Sequence, residues 1–241
     1  MTFSSTMKVR DVALEFPQAT RVLVRLNIDY CCGGDRPVGE ACSLAGVEVE
    51  SLEQMLTEAA QSQAGEDSAG DLQSLTLTGL INHILEKHHV YTKDEMTRLT
   101  ALFDKVIGVH GANHTELKKM GGLFQQLCAD LAPHMFKEEQ ILFPYIVEME
   151  NAVLNGRPMP PSCFGTVSNP IRMMMMEHDI AGDLLRELRL VSSDYKVPAD
   201  SCFSYRTLYQ ALEAFEKDLH QHIHLENNIL FPRATEMEGG V

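Results

Sequence analysis

The segment HMFKEEQILFPYIVEME at residues 134–150 is the most informative part of the chain, because it recurs as HIHLENNILFPRATEME at residues 222–238. Nine of the 17 aligned positions are identical, and both copies contain the pattern H-x3-E-x2-ILFP. Upstream of these copies, residues 88–99 align with residues 177–188 and pair His89 with His178. The repeat predicts a duplicated helical hairpin, with one His on the first helix of each half and a His–Glu pair on the second.

Apolar residues follow helical spacing over four stretches, at 75–106, 114–150, 168–191 and 202–237. Breaks rich in Gly, Pro and Ser separate these stretches, which predicts an all-α fold with an antiparallel four-helix bundle. The polar segment 61–74 predicts a linker between a small helical N-terminal domain, 1–60, and the bundle, 75–241. Pro144 and Pro232 are expected to kink or end their helices.

The second and fourth stretches each place a His and a Glu on an otherwise apolar stripe, the face that points to the centre of a bundle. A buried carboxylate is costly unless it is paired or bound to a metal, so these interruptions indicate a functional site. The two stripes comprise Leu117, Met120, Phe124, Leu127, Leu131, His134, Glu138, Ile141 and Tyr145, and Leu208, Leu212, Phe215, Leu219, His222, Glu226 and Ile229.

Two such hairpins folded about a pseudo-twofold axis bring four His and two Glu together. Residues i and i+4 share one helix face, so a His and a Glu at this spacing can reach the same metal or two adjacent metals. Imidazole and carboxylate ligands suit iron, manganese or zinc, and bundle cores often hold dinuclear carboxylate sites. The predicted ligands are His89, His134, Glu138, His178, His222 and Glu226.

Some assignments stay open on the residues alone. The repeat and the register of Leu85 and Met96 favour His89 as the ligand, whereas Ile81 and Ile84 favour His88. Glu177 is expected to be exposed rather than next to a ligand, and the run 173–176 (MMMM) to fill gaps in the core. The remaining histidines are expected to be solvated or to lie beside the ligands: His83, His110, His114, His220 and His224.

Two adjacent cysteines, Cys31 and Cys32, lie in the motif DYCCGG at residues 29–34. One interpretation is a thiol pair that helps to transfer iron, senses redox state or binds a partner. The other is a turn with one buried and one exposed thiol. The chain has six dispersed Cys and no CxxC pair, so free thiols are expected and a thiolate zinc site is not.

Composition excludes some classes of function. The 241-residue chain has a net charge of −14, which argues against binding to nucleic acid or to an anionic membrane surface. No segment has the length of a membrane span, and the first residues do not have the pattern of a secretory signal. A cytoplasmic location is the resulting expectation.

Together, DYCCGG, HHVYTKDE, HMFKEEQILFP, MEHD and HIHLENNILFP resemble the iron–sulfur cluster repair di-iron proteins, the RIC family. The resemblance covers essentially the whole chain in the same order. It implies a hemerythrin-like bundle with two non-haem irons bound by the six residues named above, with Glu138 and Glu226 bridging the irons. An oxo or hydroxo bridge would complete the centre.

The resemblance also implies a function. It predicts repair of iron–sulfur clusters damaged by nitrosative or oxidative stress, by donation of iron, with damaged iron–sulfur proteins and the gases NO and O2 as partners. The alternatives are a non-catalytic protein that binds or senses O2 or NO, and an enzyme that reduces NO to N2O. Whether the protein is an enzyme is left open, and a homodimer is one of the oligomeric states left open.

Overall fold

The structure, a computed structural model, describes residues 3–16, 18–61 and 72–239. Within these residues the regular elements are helical, apart from one isolated bridge between Lys8 and Pro37. The N-terminal unit contains α1 (Val9–Glu15), α2 (Ala19–Arg25), α3 (Val38–Ala45) and α4 (Val49–Gln61). Most of the linker expected at 61–74 lies outside the described residues.

The bundle consists of four rods, three of which are interrupted by a π-helical turn. The first rod is α5 (Leu77–His83), the turn Ile84–His89 and α6 (Val90–His110). The second is α7 (Glu116–Lys137), the turn Glu138–Leu142 and α8 (Phe143–Leu154). The third is α9 (Ser168–Val191), and the fourth is α10 (Phe203–Leu225), the turn Glu226–Leu230 and α11 (Phe231–Gly239). The expected all-α fold with a helical bundle is confirmed.

The first rod packs against the second and the fourth, and the second packs against the third. Ion pairs between the second and third rods show that these neighbours are antiparallel. Lys119 pairs with Glu187, and Lys137 pairs with Glu177. This arrangement brings the middle of all four rods to one level.

The π-helical turns change the register of the stripes. At the second turn the N–H of Phe143 donates to the carbonyl of Glu138, five residues back instead of four. The extra residue rotates the rest of the rod about its axis, so Ile141 is 47% exposed while Leu142 and Phe143 are buried. The expected inward position of Ile141 is therefore wrong. Pro144 opens α8 directly after this turn, and the rod continues to Leu154 instead of ending.

The last Glu of each repeat copy accepts hydrogen bonds from backbone N–H groups at the start of another rod. Glu150 accepts hydrogen bonds from the N–H groups of Leu77 (2.6 Å) and Thr78 (2.9 Å). Glu238 does the same for the N–H of Val167, with both oxygens at 2.9 Å. Because the first N–H groups of a helix lack partners inside the helix, a carboxylate there satisfies them and complements the helix dipole.

Two apolar clusters fill the bundle, one on each side of the level that carries the six predicted ligands. One includes Leu99, Phe124 and Phe215, and the other includes Ile84, Ile146 and Leu230. Among the described residues, no helix has both the length and the apolar character of a membrane span. The six polar residues are thus enclosed between two hydrophobic layers.

Candidate metal centre

The six predicted residues converge in the middle of the bundle and form two groups of four. One group is His89, Glu138, His222 and Glu226, and the other is His134, Glu138, His178 and Glu226. Within each group, one ligand atom per residue lies within 4.8 Å of all the others, and every member is buried. Both groups contain the same two carboxylates.

The Nε2 atoms of the four histidines point into the centre in two pairs. His89 Nε2 lies 3.2 Å from His222 Nε2, and His134 Nε2 lies 3.0 Å from His178 Nε2. Each ring therefore presents the same nitrogen to the space between the rods.

The two carboxylates lie between the histidine pairs. Glu226 places Oε1 3.0 Å from His222 Nε2 and Oε2 3.1 Å from His178 Nε2, so each of its oxygens faces one pair. Glu138 places Oε2 3.3 Å from His134 Nε2 and 3.5 Å from His89 Nε2. Each carboxylate therefore lies within reach of both histidine pairs.

The donor atoms fit a pair of metal ions in two respects: their separations, and the lack of hydrogen-bond partners for the Glu138 carboxylate. Two ligands that each lie about 2.1 Å from one metal, at a right angle, are about 3.0 Å apart. The histidine pairs have this separation. Both oxygens of Glu138 are fully buried, with no well-formed hydrogen bond from any described residue. A buried carboxylate in this state is stabilised by a cation.

The electrostatics of the centre also favour positive charge. Burial lowers the pKa of His89, but Glu138 and Glu226 outweigh it and raise that pKa to about 10. Burial likewise lowers the pKa of His134, and the charge of Glu138 overcomes it and raises the pKa to about 9. Without metal, protons on these two rings offset the two carboxylates at neutral pH.

The outward nitrogens of three of the histidines are held by partners. His89 Nδ1 lies 2.7 Å from a carboxylate oxygen of Glu139, and His134 Nδ1 lies 2.8 Å from one of Glu177. His178 Nδ1 lies 2.8 Å from the amide oxygen of Asn227. An acceptor at Nδ1 keeps the proton of the neutral ring there and leaves Nε2 free to bind metal. The expectation that Glu177 is exposed is wrong: it is half-buried and holds His134.

The fourth histidine, His222, differs from the others. Its Nδ1 is buried and meets no hydrogen-bond partner in the described part of the chain. The ring of His88 stacks on it at 5.7 Å with an interplanar angle of 9°. His88 Nδ1 itself lies 3.0 Å from Asp218 Oδ1. His88 thus lies beside the cluster rather than within it, and His89 occupies the position facing the centre.

The DYCCGG segment packs on the bundle next to His178. Asp29 Oδ1 accepts hydrogen bonds from the N–H groups of Cys31 and Cys32, both at 3.0 Å. The Cys32 thiol donates to the carbonyl of His178 at 3.4 Å, and Cys31 is buried in the bundle core. All six cysteines are free thiols. The segment therefore combines features of both interpretations, a turn with one buried thiol and a second thiol near the centre.

Tyr30 of the DYCCGG segment makes contacts with the fourth rod that the repeat and the helical spacing do not predict. Tyr30 is buried with its ring edge-on to His224, at 5.2 Å between centroids. Asn228 donates to the Tyr30 carbonyl at 3.2 Å and lies 2.8 Å from His224 Nδ1. His224 is 4% exposed, and burial lowers its pKa to about 4. It is therefore buried rather than solvated, and its ring contacts Asn228 and Tyr30 instead of a predicted ligand.

Two other features lie away from the centre. His114 lies at one end of the bundle, just before the second rod, where it bridges Glu116 at 2.9 Å and Asp200 at 3.1 Å. The hydrogen bonds to Asp200 and Glu116 raise its pKa. In the run 173–176 only Met174 is buried, so these methionines are mostly surface residues rather than core.

Comparison with protein families identifies both units. Residues 80–234 match the family described as the hemerythrin HHE cation binding domain. Residues 5–60 match a domain of unknown function, DUF542. The first match contains all six converging residues.

Characterised relatives match nearly the whole chain. A probable iron-sulfur cluster repair protein from Haemophilus influenzae is 34% identical over 233 residues, 97% of this chain and 98% of its own. The iron-sulfur cluster repair protein YtfE from Yersinia pseudotuberculosis is 32% identical over 227 residues, 94% of this chain and 96% of its own. The YtfE protein of Yersinia pestis has the same identity and coverage.

Proposed function

Because the chain belongs to the hemerythrin-domain family of iron–sulfur cluster repair proteins, we propose that it repairs damaged clusters with a centre of two non-haem irons. The proposed ligands are His89, His134, Glu138, His178, His222 and Glu226. The proposed targets are iron–sulfur proteins damaged by nitrosative or oxidative stress. The cytoplasmic location and the division into domains at 1–60 and 75–241 stay predictions from the sequence.

The observation that carries the proposal is the sharing of Glu138 and Glu226 between two pairs of histidines. A single ion at one pair would leave the two Nε2 atoms of the other pair without a metal, although they face the same carboxylates. Two ions give every Nε2 and both carboxylates a partner. This geometry supports a stoichiometry of two irons for each chain.

The chain's own residues hold and tune such a centre. Glu139, Glu177 and Asn227 fix the tautomer and orientation of three ligand rings, and the apolar layers on both sides exclude bulk water. When bound, iron supplies one-electron redox chemistry and positions for a small ligand, for which we propose NO or O2.

Donation of iron is the role that the protonation of the centre favours. Since the pKa values of His89 and His134 are raised to about 10 and about 9, protons can replace the lost charge when iron leaves. Metal release is then coupled to proton uptake.

Anaerobic transfer tests the proposal. The full chain is loaded with ferrous iron and mixed with an enzyme whose cluster has been damaged by nitric oxide, and the recovered activity is followed. We expect faster recovery than with free ferrous iron at the same concentration. Glu226→Leu should abolish both iron content and recovery, and His88→Ala is the matched control that should retain both.

A second measurement separates donation from the alternatives. A ferrous chelator is added to the reduced and to the oxidised protein, and iron loss is followed over time. Faster loss from the reduced protein is expected of a donor. Equally slow loss from both forms, together with no recovery of the damaged enzyme, would favour a gas-binding protein or an enzyme that reduces nitric oxide.

A further inference from the structure

A cleft of about 780 Å³ lies between the N-terminal unit and the third rod of the bundle, outside the metal centre. The end of α2, the DYCCGG segment and α3 form one wall, and α9 contributes Asp179 and Arg186 to the other. Arg25, Arg36 and Arg186 all line this cleft, although the chain as a whole has a net charge of −14. A volume of this size suits a small-molecule ligand.

Only one thiol of the adjacent pair faces this cleft. Cys32 is part of its lining and is half-buried, whereas Cys31 is 5% exposed and packs into the bundle core. The hydrogen bond to Cys32 and burial raise the pKa of the Cys31 thiol well above its usual value. A reagent that enters the cleft therefore meets Cys32 first.

A glycine of α9 makes room for this thiol. A Cβ on Gly182 would lie 3.3 Å from Cys32 Sγ and 3.4 Å from Arg186 Nη1. The thiol and the guanidinium thus share the space that Gly182 leaves open. Arg186 also pairs with Asp29 at 3.3 Å, the residue whose carboxylate holds both cysteine N–H groups.

The cleft contains three further charged side chains, Arg25, Arg36 and Asp179. Arg25 is exposed at the end of α2, with no carboxylate partner among the described residues, and Arg36 pairs with Glu40 at 3.2 Å on the surface. Asp179 offers a carboxylate on the facing helix. The cleft therefore combines cations, an anion and a thiol within one cavity.

We propose that this cleft binds a small thiol peptide with free carboxylates and an ammonium group, the chemistry of glutathione, and places its sulfur at Cys32. Arg25 and Arg36 receive the carboxylates, Asp179 receives the ammonium group, and Cys32 meets the sulfur. This site lies outside the six proposed ligands, and the proposal does not rest on the repair function proposed above, although the Cys32 thiol contacts the backbone of His178.

With the disulfide form of such a peptide, the site supports thiol–disulfide exchange. The thiolate of Cys32 attacks one sulfur of the peptide disulfide, a new bond to Cys32 forms, and the original sulfur–sulfur bond breaks. The released peptide thiolate takes up a proton equivalent to the one that Cys32 gave up. Cys32 is oxidised, and one half of the peptide disulfide is reduced.

The test measures modification of each cysteine in the full chain. The protein is incubated with glutathione disulfide, and mixed disulfides are located by peptide mass mapping over time. Cys163 and Cys202 are exposed and outside the cleft, so they report reactivity without binding. We expect Cys32 to be modified faster than Cys202 although it is less exposed.

Two variants and a second reagent show whether charge in the cleft is responsible. The double variant Arg25→Ala, Arg36→Ala should slow modification of Cys32 by about two- to thirtyfold, the range of two exposed ion pairs, and leave Cys202 unchanged. Arg98→Ala, an exposed arginine outside the cleft, is the matched control. The neutral disulfide of 2-mercaptoethanol should show no difference between the variants.

Several results would overturn the proposal. One is modification of Cys32 no faster than that of Cys202. Another is equal slowing of the charged and the neutral disulfide in the double variant, which would show a structural effect of the substitutions. A third is exchange of Cys32 with a disulfide of another protein but not with glutathione disulfide, which would assign the cleft to a macromolecule instead.

Discussion

The carboxylate of Glu139 should strengthen metal binding at the first histidine pair, His89 and His222, in which it is the only acceptor that a described residue offers to an outward ring nitrogen. Glu139 holds His89 Nδ1 at 2.7 Å, and the equivalent residue in the other half, Asn227, holds His178 Nδ1 through a neutral amide. The substitution Glu139→Gln keeps an oxygen and the size of the side chain but removes the charge. It therefore gives His89 the same kind of neutral acceptor that His178 has.

The size of the effect depends on the contacts of Glu139. Loss of a hydrogen-bond partner of a ligand histidine typically lowers metal affinity by about 10- to 100-fold. The Glu139 side chain is 21% exposed and is also neutralised by Lys93 at 2.5 Å, which places the effect at the lower end. We expect a loss of about tenfold in affinity, or about 1.4 kcal/mol, for one of the two irons.

An anaerobic competition between the protein and a ferrous chelator measures this change. The wild type and Glu139→Gln are titrated in parallel, and the two binding steps are fitted separately. Lys93→Ala is the control, since it removes an exposed partner of Glu139 and leaves the contact to His89; its effect should stay below about threefold. Unchanged affinities in Glu139→Gln, or an equal loss at both steps, would refute the argument.

Three further predictions test other contacts. His89→Ala should lose one iron per chain in metal analysis, whereas His88→Ala should retain two; the reverse would show that His88 is the ligand. Glu150→Ala should lower the free energy of unfolding, measured in urea, by about 3 kcal/mol, because it leaves buried N–H groups at the start of α5 without a partner, and a loss below about 1 kcal/mol would contradict the cap. The pKa of His114, measured by NMR, should lie above the ordinary value of 6.5 and fall in Asp200→Asn. The pair stabilises the fold fully below the pKa of His114 in the unfolded chain, and this stabilisation is lost as the pH rises through its pKa in the folded protein. A difference in stability between the wild type and Asp200→Asn that grows as the pH rises would contradict it.

The convergence of the six residues was predictable because the repeat encodes it. Each half places a His and a Glu four residues apart on an apolar stripe, and duplication requires the two stripes to face one another. The structure also shows why His89 rather than His88 faces the centre. Ile81 and Ile84 are buried as their register predicts, and the π-helical turn at Ile84–His89 then adds a residue that brings His89 to the centre.

Other features could not be read from spacing. A π-helical turn has no reliable local signal, so the stripe drawn with regular helical spacing fails after Glu138 and misplaces Ile141. The role of Glu177 depends on its position relative to His134 on another rod, 43 residues away. Burial of His224 depends on Tyr30 from the N-terminal unit. These contacts arise from tertiary packing, which composition and periodicity do not describe.

The three π-helical turns also determine where the bundle is mechanically weakest. In each turn, backbone hydrogen bonds join residues five apart instead of the regular four. Each turn also begins or ends at a predicted ligand: His89, Glu138 and Glu226. The level at which the backbone of three rods is least self-supporting is therefore the level that ions would cross-link. In the metal-free protein, amide hydrogen exchange inside the bundle should be fastest at this level, so that iron occupancy also regulates how rigidly the two halves are joined.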